Sequence, residues 1–405
     1  MKCFICQGGN LFKFMDFGDQ PPTDAFLRKD DLEKPEAFYP LALYFCENCS
    51  LVQIGHIVSP MLIFQDRDYV YTTSTNNSSK INFKNLVEKL VERFKLTSED
   101  FAIDVGSNDG TLLSYYLPYG IKILGVDPSS ATKFAIARNI PTVVDFFGEK
   151  IAADVLKKYG KAKVITATNV FAHVSELHSF VRGVADLLQD DGVFVSESGY
   201  LLDLIERLGY DAVYHEHLRF YSLKPLERLF NKFGLEIFDA ERIPTHNGSI
   251  RVYAAKIGAY PKNKSVEELM ALETKFGLYK KETFIHFAED AKKHGVEFKT
   301  LLTDIKKAGK TIVGIGAPAK ANTLLHFCKI DSKIIDCILE KSDLKIGLFT
   351  PETHIPILSE EILFKEQPDY AIMFSWNLAD ELIPKLKNSG YNGKFIIPFP
   401  KVKII

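Results

Sequence analysis

Asp104-Val105-Gly106-Ser107-Asn108-Asp109-Gly110 follows a β-branched run, Phe101–Val105, and opens a helical pattern at Thr111-Leu112-Leu113. Glycine lets a backbone turn tightly and approach a ligand closely, so strand, glycine loop and helix together read as the first turn of a nucleotide-binding α/β domain. The next strand ends in Gly125-Val126-Asp127, which places an acid to accept hydrogen bonds from ribose hydroxyls. The loop has the form D-x-G-x-N-x-G rather than G-x-G-x-x-G. Asp104 and Asp109 would repel a pyrophosphate but not a cationic amino acid. The loop is therefore expected to hold S-adenosylmethionine (SAM) rather than a dinucleotide.

Around the loop, β-rich runs alternate with helical patterns. Phe101–Val105, Lys122–Val126, Thr142–Val144, Val164–Thr168 and Gly192–Ser196 predict parallel strands wound with helices. Gly234–Phe238 and Ser249–Ala255 suit antiparallel strands that finish such a sheet. Residues 264–308 read as two charged amphipathic helices, and the alternation restarts at Thr311–Ile315, Ile334–Leu339, Tyr370–Phe374 and Lys394–Ile397. A length of 405 residues accommodates three domains, expected at 1–68, 69–258 and 259–405. With 50 basic against 52 acidic side chains, a net charge of −2 and no basic stripe, a nucleic-acid partner is not expected. No apolar run reaches the roughly 20 residues a membrane span needs, and no signal-peptide pattern opens the chain. A cytoplasmic protein with no membrane partner is the expectation.

In that setting the six cysteines are not expected to form disulfides. Cys3-Phe-Ile-Cys6 and Cys46-Glu-Asn-Cys49 are two C-x2-C knuckles, the spacing that presents paired thiolates to tetrahedral zinc. All-cysteine ligation leaves no open position, so a structural zinc is expected to support a small module with a thin core. A redox pair is the alternative, but no helical pattern follows Cys6 as such a site requires. Cys328 and Cys337 read as core packing.

Taken in order, these features resemble the sugar C-methyltransferases of deoxysugar-nucleotide pathways. The residues carrying the resemblance are the two knuckles; Tyr69-Val70-Tyr71; the loop Gly106 to Leu113; Asn169-Val170-Phe171-Ala172-His173-Val174; and Tyr214-His215-Glu216-His217. Asn247-Gly248-Ser249-Ile250-Arg251, Gly314 to Lys320 and Thr350 to Ile357 complete it. It implies an α/β protein with a small N-terminal zinc-binding module, a central Rossmann-like SAM methyltransferase domain and a C-terminal Rossmann-like α/β domain. Tyr214, Glu216 and His217 match the family's catalytic motif, His173 its active-site histidine and Tyr69 its tyrosine near the cofactor. SAM contacts are then expected from Gly106, Asn108, Asp109 and Asp127, with Asn169 at the methionine end and Tyr71 covering the adenosine or the sulfonium. His215 is not carried over and reads as a surface residue. Lys345, Thr353 and His354 match a stretch used near the nucleotide of a nucleotide-diphosphate sugar. Three departures stand out: Pro318 in place of serine, Glu340-Lys341-Ser342-Asp343 in place of a short turn, and Asn247 in place of a glycine in H-G-G-S-x-R.

Methylating carbon requires a carbanion equivalent, which a 4-keto sugar supplies as an enolate. A neutral imidazole with a pKa of about 6.5 suits the general base. His217 is assigned that role, oriented and kept basic by Glu216, with Tyr214 and His173 as donors to the enolate oxygen. Lys320, at a helix start, is placed to meet the substrate pyrophosphate, and Trp376 reads as core packing in preference to base stacking. The expected reaction is SAM-dependent methylation at the carbon beside the ketone, C-3, by a monomer. Methyl transfer to C-5 or to a hydroxyl is the rival within enzymes. A zinc-containing scaffold that binds a nucleotide sugar is the rival outside them.

Overall fold

The computed structural model describes residues 1–65 and 72–405. Tyr69 and Tyr71, expected near the cofactor, lie outside the described residues. The first strands are β1 (Leu11–Gln20), β2 (Tyr39–Cys46) and β3 (Val52–Ile54). The middle of the chain carries β4 (Phe101–Val105), β5 (Lys122–Val126), β6 (Thr142–Val143), β7 (Ala162–Thr168) and β8 (Leu188–Gly199). It continues with β9 (Arg219–Phe220), β10 (Leu235–Ile243) and β11 (Ser249–Lys256). The last third holds β12 (Ile312–Ile315), β13 (Cys337–Glu340), β14 (Ile357–Ser359), β15 (Tyr370–Met373), β16 (Lys394–Ile397) and β17 (Lys403–Ile404).

The central sheet runs β10-β11-β8-β7-β4-β5-β6. Every pairing from β8 to β6 is parallel, whereas β11 is antiparallel to both β8 and β10. Two antiparallel strands were expected to finish the sheet. Because β11 inserts between β8 and β10, β10 points the same way as the rest and only β11 is reversed. The strand order reverses beside β4, which is where open α/β sheets take ligands at their carboxyl ends. The strands are apolar on both faces because helices cover both: Ile103, Val105, Leu124, Val126, Ile165 and Phe194 are each at most 3% exposed.

The third sheet runs β14-β13-β12-β15-β16-β17, parallel except for β17, with its own reversal beside β12. Helices Lys264–Phe276 and Lys281–Lys307 precede it. The long helix buries Phe284, Phe287, Ala291, Phe298 and Leu302, and its charged face is exposed.

The N-terminal sheet has the order β1-β2-β3-β9, so its fourth strand comes from the middle of the chain. Strand β9 lies two residues past His217 and pairs Val52 with Phe220 and Gln53 with Arg219. Leu218 extends this seam: its carbonyl accepts from Ile54 N and its N–H donates to the Ala172 carbonyl. The cysteine module therefore packs directly against the segment carrying the candidate catalytic motif.

Candidate active site

At the knuckles, Cys3 and Cys49 Sγ lie 3.5 Å apart and Cys6 and Cys46 Sγ 3.6 Å apart. All four sulfurs fall within 4.8 Å of one another. A disulfide would bring a pair to about 2.05 Å, and all six cysteines are free thiols. A tetrahedron of zinc–sulfur bonds of about 2.3 Å has edges near 3.8 Å, so the four residues fit zinc with little rearrangement. Cys3, Cys46 and Cys49 are buried, as are Cys328 and Cys337 in the core.

At the switch point of the central sheet a cavity of about 420 Å³ opens at the ends of β4, β5 and β7, within the range for small-molecule sites. Asp104, Gly106, Asn108, Asp127, Asn169 and His173 are among its walls, and Phe64, Val126 and Phe147 supply apolar surface. Gly106 is at φ +73, and a Cβ there would lie 2.0 Å from Val170 Cγ2, so no other residue fits both the conformation and the space. Asn108 N–H donates to Asp127 Oδ2 at 2.9 Å, while Ser129 donates N–H and hydroxyl to Asp127 Oδ1 at 2.7 and 2.5 Å. Asp127 thus ties the glycine loop to the end of β5 and keeps part of its acceptor capacity on the cavity side. An acid-rimmed, partly apolar cavity of this size fits SAM.

Asp109, expected to contact the cofactor, does not line this cavity. It is fully buried and accepts from Ser74 N at 2.8 Å and from Thr111 N and Oγ1 at 3.1 and 2.6 Å. Its carboxylate ties the first residue of the short helix Thr111–Ser114 to the turn Thr73–Thr75. Burial raises Asp104 to about 7, with Thr166 donating to it and Asp127 adding negative charge. Burial therefore disfavours the ionised form of Asp104, one of the two acids expected to repel pyrophosphate, while at Asp109 burial is outweighed by hydrogen bonds that favour its carboxylate. Ser129, Asp145, Phe146 and Phe147 also line the cavity and were not singled out from sequence. The missed signal was position: each follows β5 or β6, at the same sheet edge as the loop.

The second cluster adjoins the first through His173, whose ring centroid is 5.0 Å from that of His217. Tyr214 stacks on His217 at 4.0 Å. His217 Nδ1 lies 2.7 Å from the Ala212 carbonyl, which can only accept, so Nδ1 carries the proton and Nε2 is the basic nitrogen. Burial, opposed by this hydrogen bond and helped by His246, lowers His217 to about 4. Burial and the neighbouring His217 and Arg219 hold His173 well below its ordinary value.

Two expectations about this motif are corrected. Among the described residues, Ala212 rather than Glu216 orients His217, and the imidazole is a weaker base than an exposed one. Glu216 is buried beside Asp24 and Lys345; burial and Asp24 raise it to about 8 and Lys345 partly offsets them. Burial and Asp24 both disfavour its ionised form. His215 is not on the surface: it is 1% exposed, with Nε2 3.1 Å from the Tyr39 carbonyl.

The expected nucleotide residues separate. Lys320 Nζ donates to Asn377 Oδ1 at 2.6 Å and lies 4.7 Å over the Trp376 ring, in reach of Asp211 and His246. Lys345 donates to the Ala317 carbonyl at 2.8 Å and sits over Phe26 near Asp24. Thr353 is buried against the Thr350 hydroxyl at 2.7 Å, and His354 Nε2 meets Glu36 at 2.9 Å. His354 joins the third domain to the N-terminal module, whereas Thr353 bonds within its own turn. Asn247 stands at φ +75 between His246 at +49 and Gly248 at +112. Asparagine tolerates the left-handed region, which explains how it replaces glycine there. The turn is held by Ser249 Oγ on the Thr245 carbonyl at 3.0 Å and by Thr245 Oγ1 on buried Glu197 at 3.1 Å, which Arg251 pairs at 2.8 Å.

A parallel sheet with one inserted reversed strand, a glycine loop at its switch point and an acid at the next strand end define a SAM-dependent methyltransferase with a zinc-binding domain. Family models match in three consecutive blocks: a zinc binding domain at residues 3–64, a methyltransferase domain at 81–240 and a C-methyltransferase C-terminal domain at 244–400. The chain is 31% identical over 407 aligned residues to the C-methyltransferase NovU of Streptomyces niveus, covering 100% of this chain and 96% of that one. It belongs to this family of C-methyltransferases. The sphingolipid C9-methyltransferase 2 of Gibberella zeae is 28% identical over 204 residues, 45% of this chain and 35% of its own. Among solved structures, SAM-bound magnesium protoporphyrin IX methyltransferase of Synechocystis aligns over 44% of this chain and 79% of its own, at 14% identity and a TM-score of 0.33. No helix among the described residues is long and apolar enough to cross a membrane.

Proposed function

We propose that the chain methylates C-3 of a nucleotide-linked 4-keto deoxysugar, with His217 as the base. The observation that carries this reading is the 2.7 Å contact of His217 Nδ1 with the Ala212 carbonyl, which assigns the proton to Nδ1 and leaves Nε2 basic beside a histidine that lines the cofactor cavity. The walls at Gly106, Asn108, Asp127 and Asn169 would hold SAM, which would supply an electrophilic methyl group when bound. His217 Nε2 takes the proton from the carbon next to the ketone, and the electron pair left behind delocalises onto the ketone oxygen. Tyr214 and His173 are the donors available to that oxygen, and such preorganised donors contribute about 3–4 kcal/mol each. Glu216, in the same loop, is pushed toward its neutral form by burial and Asp24, which suits a further donor better than a partner of the base. Lys320, at the carboxyl end of β12, is the cation assigned to the substrate diphosphate.

The similarity to the C-methyltransferase NovU over the full length supports transfer to carbon. Mass spectrometry of incubations with SAM and thymidine- or guanosine-diphosphate 4-keto sugars tests the substrate class through a gain of about 14 mass units. Solvent deuterium entering C-3 tests the position. His217→Gln should lower turnover at least about 100-fold with SAM affinity unchanged, and near-normal methylation by that variant would overturn the base assignment.

A further inference from the structure

The switch point of the third sheet lies at the carboxyl ends of β12 and β15. In an open α/β sheet that crevice is the ligand position. Lys320 reaches it from the helix Ala319–Cys328, and Trp376 and Asn377 from the end of β15. The middle domain fills part of the crevice with the turn Tyr210–Ala212 and the residue after it. Trp376 Nε1 donates to Asp211 Oδ2 at 2.7 Å, and Thr323 Oγ1 donates to the Val213 carbonyl at 3.0 Å. The Tyr210 hydroxyl lies 2.9 Å from His294 Nδ1. Tyr210, Asp211 and Val213 are at most 2% exposed.

Between Asp211 and Val213 stands Ala212, the residue whose carbonyl fixes the His217 proton at 2.7 Å. Trp376 thus connects to the imidazole through one side-chain hydrogen bond, one residue of backbone and one further hydrogen bond. A buried carboxylate is a costly way to pack a domain junction, since an apolar side chain of the same volume fills space without desolvating a charge. A carboxylate is a directional acceptor, however, and it holds a turn in one register. Lys320 stands over the same indole.

We propose that Trp376 is a positioning residue for methyl transfer. Acting through Asp211, it holds the Tyr210–Val213 turn where the Ala212 carbonyl keeps the His217 proton on Nδ1. The third domain then sets the geometry of the base as well as meeting the substrate. This rests on the reading of His217 as the base.

The test uses the full-length zinc protein labelled with 15N-histidine, with the His217 signals assigned by their loss in His217→Gln. The wild type should show Nδ1–H. Trp376→Phe removes the donor and keeps the ring; Trp376→Phe with Asp211→Asn also replaces the buried carboxyl that has lost this donor. In both variants the His217 signals should move toward the Nε2–H tautomer. With thymidine-diphosphate 4-keto deoxysugar, kcat should fall about 10- to 100-fold, as a 1 Å misplacement produces, while KM and the SAM Kd change less than about 3-fold. An unchanged Nδ1–H tautomer in both variants overturns the proposal. So does a double variant that regains kcat together with its thermal midpoint, which would mark the contact as packing. Failure of the base assignment is distinct: His217→Gln would stay active while the tautomer still responded to Trp376.

Discussion

Gln53 and Arg219 face each other in an antiparallel pairing that joins the cysteine module to the strand just past His217. The Gln53 side chain accepts from Phe4 N at 2.9 Å and donates to the Lys2 carbonyl at 3.3 Å, which grips the first knuckle. The Arg219 guanidinium lies 4.8 Å over the Phe4 ring and donates to the carbonyls of Val174 and Ser175, two residues that line the cofactor cavity. One knuckle thus supports both the segment carrying the candidate base and the cavity wall.

Zinc removal should therefore impair catalysis and not only stability. Elemental analysis of the purified protein should give one zinc per chain. Chelation, or Cys49→Ser, should lose that metal and lower the thermal midpoint, because structural zinc sites bind with about 10–16 kcal/mol of folding free energy. SAM affinity should weaken with it, since Val174 and Ser175 lose their anchor. Metal-free protein with unaltered SAM binding and turnover would contradict this coupling.

Gly106→Ala should abolish SAM binding. The substitution forces a side chain into the left-handed region, costing about 1–3 kcal/mol, and drives its Cβ to 2.0 Å from Val170 Cγ2. Adding Val170→Ala relieves the overlap but not the backbone strain, so calorimetry on the double variant should show partial recovery of stability with SAM binding still weak. Full recovery would mean that the glycine serves only to clear Val170.

The longer strands of both large sheets were legible because β-branched runs alternating with amphipathic helices admit few other folds; the short β14 and β17 went unread. Strand β9 was not: two residues, Arg219 and Phe220, carry no periodicity, and their pairing partner lies some 165 positions away in sequence. The cysteine site and the Gly106 loop could be read directly because their chemistry is confined to side-chain identity and short spacing. The partner of His217 could not, since a backbone carbonyl such as that of Ala212 leaves no mark in the sequence. Asp109 misled for a related reason. Acids in a glycine loop suit both a ligand and the amide groups of the next helix, and only the direction of the carboxylate decides between them.

His217 and Glu216 should shape the pH dependence of stability in opposite senses. The folded protein keeps His217 neutral down to about 4, whereas the unfolded chain protonates it near the ordinary 6.5. The unfolded state therefore binds more protons between those values, and stability falls as the pH drops through that window. His217→Gln should remove this contribution, so its thermal midpoint should fall less than that of the wild type between pH 6.5 and 4.

Glu216 supplies the opposite slope. Its folded value of about 8 lies above the ordinary 4.5, because burial and Asp24 both disfavour the carboxylate. The folded state then binds more protons between those values. Its stabilising contribution is fully present below 4.5 and is lost as the pH rises through 8. Glu216→Gln, which mimics the protonated carboxyl, should match the wild type near pH 5 and exceed its thermal midpoint by about 2–4 K near pH 9, a difference of roughly 1–2 kcal/mol. Asp24→Asn should flatten the same slope by removing the charge that raises Glu216. If Glu216 were instead an ionised partner of His217, Glu216→Gln would destabilise across the whole range and shift the acid limb of kcat. Thermal midpoints of the three proteins from pH 5 to 9, with kcat measured alongside, separate the two arrangements.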